Sequence, residues 1–249
     1  MERVDANVSL RGHMTLSVYD EYPGMPVAQS EAHNILCNIG LNSMLNALVW
    51  ASVNDQVANM GTIISYSDMT PLYGAVGTGG VTTIASGSNG LTLPQGTIDV
   101  ASVTGFPNAG TLTIVDSLTD TVTYTGTQTT PTPAFTGCTG GTGVLATGNS
   151  VTYVPAATDT SLCIETARNF VASTGTTVAF STFNPSFSWL FILPSLGVSQ
   201  TITEAGVFVN ATEDVADGSP LLDHAMLSPA ISQSSSQLVT LLVTITAGN

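Results

Sequence analysis

Hydrophobic and polar residues alternate cleanly over residues 8–18: Val8, Leu10, Met14, Leu16 and Val18 share one side with Gly12, while Ser9, Arg11, His13, Thr15 and Ser17 share the other. A period of two predicts a half-buried strand, and Tyr22-Pro23-Gly24 closes it with a turn. The period changes over residues 41–52, where Leu41, Met44, Leu45, Leu48 and Val49 form an apolar stripe at helical spacing. This predicts one amphipathic helix, capped by Asn38. Residues 62–66 and 73–76 read as short strands, with the glycine-rich 77–80 closing the second. Further strands are expected within 177–193, at 201–209 and at 237–246, with an acidic loop at 210–220.

Between about 80 and 155 the composition shifts to Gly, Thr and Ser, and the apolar residues come in short bursts. Ile98 with Val100, Leu112 with Ile114, Val122 with Tyr124, and Val151 with Tyr153 each mark a strand. The expected organisation is a main domain of residues 1–79 and 156–249 with a small all-β module, 80–155, inserted into it. The expected fold is mainly β: a β-sandwich, with a jelly roll as one arrangement, plus the one amphipathic helix.

Charge narrows the function classes. Only 8% of the 249 residues are charged, with no lysine, three arginines and a net charge of -14. Phosphate backbones are bound by displacing counterions with Lys or Arg, so nucleic acid is not an expected partner; anionic membrane surfaces are disfavoured for the same reason. Mean hydropathy is +0.33. With so few charges, that value suits a chain covered by neighbouring subunits, since obligate interfaces are apolar and poor in Lys, Glu and Asp. The apolar stretch at 187–193 ends at Pro194, well short of the roughly 20 residues of a membrane-spanning helix. No secretory leader is read at the start, so cytoplasmic synthesis is expected.

Candidate chemistry is sparse. His13, His33 and His224 have no serine elbow or cysteine signature beside them. His33 and Cys37 have the spacing of two ligands on one helical face, but with no further Cys or His nearby they read as a polar loop residue followed by a buried cysteine before the helix. Glu213, Asp214 and Asp217 offer carboxylates for calcium without EF-hand spacing. Cys37, Cys138 and Cys163 match no zinc or redox pattern and read as small buried apolar residues or free thiols. Glu165 and Arg168, at i and i+3, are read as a structural ion pair within one helical turn. No catalytic residue, cofactor or metal is expected. Trp50 and Trp189 read as core.

Several short strings nevertheless follow one another in a set order along the chain. They are Asn34-Ile35-Leu36 with Gly40-Leu41; Ala75-Val76-Gly77-Thr78-Gly79; Asp159-Thr160-Ser161-Leu162 with Glu165 and Arg168; Ile202-Thr203-Glu204-Ala205-Gly206-Val207-Phe208; and Leu221-Leu222 with Ala225 and 227–231. In this order they resemble a widespread group of tailed-bacteriophage virion proteins, and 80–155 resembles a small β module inserted in other phage structural proteins. The resemblance implies a non-enzymatic virion protein. The first expectation is a capsid decoration or cement protein, a homotrimer bound to the major capsid protein of the assembled shell. A tail-fibre or baseplate component is the alternative, with a carbohydrate-binding module as the remote one.

Overall fold

The computed structural model describes residues 9–20, 23–38, 72–115, 119–179, 186–193, 195, 197–209 and 219–248. The helix expected at 41–52, Trp50, the strand expected at 62–66, and Glu213, Asp214 and Asp217 lie outside the described residues. The chain forms two compact units, Met1–Gly77 with Ala157–Asn249, and Thr78–Ala156.

Fifteen strands run through the described residues. Three precede the second unit: β1 (Ser9–Tyr19), β2 (Ala28–Leu36) and β3 (Leu72–Gly77). Seven belong to it: β4 (Val81–Thr83), β5 (Thr97–Asp99), β6 (Gly110–Val115), β7 (Thr119–Tyr124), β8 (Gly126–Gln128), β9 (Ala134–Thr136) and β10 (Ser150–Val154). Five follow: β11 (Glu165–Ala179), β12 (Ser186–Leu193), β13 (Gln200–Val209), β14 (Leu221–Gln233) and β15 (Leu238–Gly248).

In the first unit the pairing order is β1-β15-β12-β11-β3-β13-β14-β2, all antiparallel, and β2 returns to β1. The final seam is short, with Leu36 opposite Asp223 and Ile35 opposite His224. The expected sandwich is therefore observed only as its coarser class, a mainly β unit built on one curled antiparallel sheet. Two strands turn the corners. β11 pairs with β3 over its first part and with β12 over its second, and β2 divides itself between β1 and β14 in the same way.

Alternation makes the core. Three rows cross the strands: Val18–Val239–Leu193, Leu16–Leu241–Phe191 and Met14–Val243–Trp189, all buried. Trp189 is thus core, as its sequence context suggested. Each such side chain contributes about 1.5–3 kcal/mol on leaving water. Gly74 faces the Phe191 ring, where a Cβ would overlap it. Gly12, on the inward side of β1, leaves the space filled by the Asn34 side chain.

In the first unit two strands escaped the sequence pattern. In β2 the inward residues are Ser30, Ala32 and Asn34, too small or too polar to show as a hydrophobic period. In β14 Pro229 interrupts the run, and the stretch around His224 reads as a connection rather than a strand.

The second unit has its own core. Its sheets are ordered β4-β10-β6-β7 and β5-β9-β8. Ile98, Leu112, Ile114, Val122, Val151 and Phe135 are buried. The Phe135 ring lies 4.7 Å from Tyr124 and 5.0 Å from Phe106, at tilted and edge-on angles favourable to aromatic pairs. Asp120 accepts the Thr142 and Gly143 amide hydrogens at 2.8 and 3.0 Å, tying a glycine turn to β7.

Candidate functional site

The outer face of β3, β13 and β14 is not left to solvent. The inward residues of β13, Ala205 and Val207, join the main core, whereas Phe208 packs in a second cluster with Cys37, Tyr73, Ala75, Leu162 and Leu221. Leu162 comes from the segment 157–164, which returns from the second unit and lies across this face as a strap.

Glu204 holds the strap down. Its carboxylate accepts the amide hydrogens of Cys163 at 2.8 Å and Ile164 at 2.7 Å. His224, opposite Gly206 in the register, bridges to the same carboxylate through Nε2 at 3.1 Å and to Asp159 through Nδ1 at 2.8 Å. All three side chains are nearly inaccessible, with His224 and Glu204 at 1% and 0% exposure. Two glycines make room. A Cβ at Gly77 would meet the Ile164 carbonyl and the Glu204 side chain, and one at Gly206 would sit 2.7 Å from the Asp223 carbonyl and 2.8 Å from Leu162. A Gly206→Ala variant should therefore lose about 1–3 kcal/mol through overpacking; an unchanged thermal melt would mean that the strap does not rest there.

Charge in this site is balanced internally. Burial alone would push the His224 pKa down, but the carboxylates of Asp159 and Glu204 at its two ring nitrogens win and raise it to about 9. Burial would raise the Glu204 pKa; His224 and the two strap amides outweigh it and hold it below the ordinary carboxylate value. The Cys163 thiol is driven well above its usual value by burial, by the nearby Glu204 and Asp159 charges and by its own hydrogen bond to Glu204. Cysteine, histidine and carboxylates are the residue types of a nucleophilic triad. Here, however, both histidine nitrogens face carboxylates, and the thiol is held protonated.

Glu165 and Arg168 do pair, through Nε–Oε1 at 2.5 Å and Nη2–Oε2 at 2.8 Å, and both are buried. The helical turn expected for them is corrected to a strand. Both lie on β11, where residues three apart would face opposite sides. A bulge between Glu165 and Ala167 adds one residue and restores a common side. The Arg168 guanidinium also stacks 4.3 Å above the Phe208 ring.

A second polar pair sits on the inner side. A bulge between Val207 and Phe208 pairs Val207 with Asp223 and Phe208 with Leu221. Asp223 is fully buried and hydrogen-bonded to the Asn34 amide nitrogen. Burial raises its pKa well above the usual range against the opposing pull of His224. Protonated, Asp223 gains a donor, and the acceptor it needs is at hand: Oδ1 of Asn34 and Oδ1 of Asp223 are both buried and otherwise unpartnered. Asp223→Asn should consequently fold and be at least as stable at neutral pH, whereas Asp223→Leu should cost about 1–3 kcal/mol by stranding the Asn34 amide. Urea melts of the two variants separate these outcomes.

The other candidates fall elsewhere. His33 is exposed on β2 rather than in a loop before a helix, and pairs across the strands with His13 at 5.7 Å between ring centroids. His13 also lies 3.7 Å from Glu31. Cys37 is fully buried while His33 faces out, so the two share no ligand face. Burial raises the Cys37 thiol to about 12, with the Asp159 and Asp223 charges adding to it. Cys138 belongs to the second unit, its thiol raised to about 11 by burial against a backbone hydrogen bond.

Sequence reasoning missed the meeting of Asp159, Glu204 and His224. The first two stood in strings that carry the phage resemblance, and His224 stood as an isolated histidine. The signal available was the clustering of those strings around glycines. Comparison with protein-family models, with curated proteins and with solved structures finds no match to this chain.

Proposed function

We propose that this chain is a non-enzymatic structural subunit of a tailed-bacteriophage particle, and specifically a capsid decoration protein. In this reading it binds the major capsid protein of the assembled shell as a homotrimer and stabilises the shell by mass action. A flattened, sandwich-like form of the barrel belongs to the same reading.

The observation that carries it is an apolar rim. The described connecting residues 23–27, 197–199 and 234–237 lie at one end of the barrel, as the pairs Tyr19–Leu238, Leu193–Val239 and Gln200–Gln233 require. On that end Met25, Val27 and Val198 are exposed by 87%, 52% and 58%. In a chain without lysine, such a rim suits burial against another subunit. The residues quoted for the phage resemblance add support. Gly77, Asp159, Glu165, Arg168, Glu204, Gly206 and Phe208 all serve the strap and the face beneath it, so the likeness concerns a scaffold rather than a reactive centre.

The test is to mix the purified chain with empty phage shells and, separately, with isolated phage tails and image both. Regular density on the shell is expected, lost in a Met25→Asp/Val198→Asp double variant that melts like the parent. Binding confined to tails would overturn the capsid assignment in favour of a tail-fibre or baseplate component.

A further inference from the structure

We propose that Cys163, Glu204 and His224 form a binding site for a zinc-class divalent ion that locks the strap onto the sheet. One donor atom from each of these residues lies within 4.8 Å of the others, and two of the three side chains are fully buried. Thiolate, imidazole and carboxylate together favour zinc over magnesium or calcium, which take oxygen ligands.

The spacing fits. Tetrahedral zinc with ordinary bond lengths holds nitrogen and oxygen ligands about 3.3 Å apart; the His224 Nε2–Glu204 Oε2 separation is 3.1 Å. The outer partner is also in place. A metal-bound histidine usually gives its other N–H to a carboxylate, which orients the ring; His224 Nδ1 lies 2.8 Å from Asp159. Asp159 is therefore a positioning residue. Glu204 is itself oriented by the Cys163 and Ile164 amides. In the metal-free protein, hydrogen bonds to Glu204 from the Cys163 thiol and from His224 join the same three groups. Zinc replaces these two protons, which leave to solvent, and the net charge of the cluster is unchanged. Cys163 is partly exposed, which gives the ion and a fourth, water ligand a way in.

The reading is independent of the virion proposal, because its test uses the purified chain alone. The full-length protein is stripped with a chelator and titrated with zinc and with cobalt. About one zinc per chain is expected, with a raised melting temperature, and cobalt should show a thiolate charge-transfer absorption in the near ultraviolet. Cys163→Ser, a mild change at the strap, should abolish that absorption. Asp159→Asn should weaken zinc about 10–100-fold while retaining the band. A chain that melts cooperatively but takes up no zinc and gives no thiolate band with cobalt overturns the proposal. So does a band that survives in Cys163→Ser.

Discussion

Glu204→Ala is expected to cost on the order of 3–5 kcal/mol of folding stability, the usual consequence of removing one partner from a buried ionic network. Three losses add up at one position. The Cys163 and Ile164 amides lose their acceptors at 2.8 and 2.7 Å. His224 keeps its proton with Asp159 alone. The strap loses its central anchor, and Leu162 loses its hold over Phe208 and Leu221. Glu204→Gln is a finer probe. Both carboxylate oxygens accept backbone N–H groups, so the amide must turn its NH2 toward one of them, stranding a donor at about 1–3 kcal/mol. Urea melts in the presence of chelator measure both changes. A loss below about 1 kcal/mol for Glu204→Ala would show that the strap is held by its apolar contacts instead.

The second large effect is on pH dependence. In the metal-free protein His224 titrates at about 9, against 6.5 for the free side chain. A raised pKa means that the folded state binds the proton more tightly than the unfolded one. The stabilisation is therefore complete below about pH 6.5 and is lost as pH rises toward 9. A shift of that size corresponds to about 3 kcal/mol. Asp223, also raised, acts in the same direction from the acid range upward. Glu204 acts oppositely: its pKa is lowered, so its contribution is present at neutral pH and is lost on acidification. Stability should thus peak in mildly acidic solution and fall toward pH 9. His224→Gln should be less stable at pH 6 and lose less stability across that alkaline window than the parent. A parent protein equally stable at pH 6 and pH 9 would contradict the imidazolium bridge.

Legibility in the sequence followed the chemistry of the inward residues. In β1, β12 and β15 these are large and apolar, so the period of two is plain. In β2 they are Ser30, Ala32 and Asn34, and hydropathy is silent, because what fills that part of the barrel is the hydrogen-bonded Asn34–Asp223 pair. The spacing of Glu165 and Arg168 pointed to a helix because a bulged strand puts residues three apart on one side, as a helical turn does. The strap was least legible. Asp159, Glu204 and His224 are far apart in the chain; the β13–β14 register, which sets His224 opposite Gly206, brings the last two together, and the returning segment 157–164 adds Asp159.

The pairing of β1 with β15 sets Ser9 beside Gly248. A ribosome makes β1 before, and β15 after, the thirteen strands between them, so one edge of β1 waits for all of those strands to emerge. Contacts of such long sequence separation form slowly and leave strand edges open meanwhile. The second unit draws only on the contiguous stretch Thr78–Ala156 and can finish earlier. Low charge, and the absence of lysine to guard the waiting edge, make the nascent barrel the aggregation-prone stage of this protein's life.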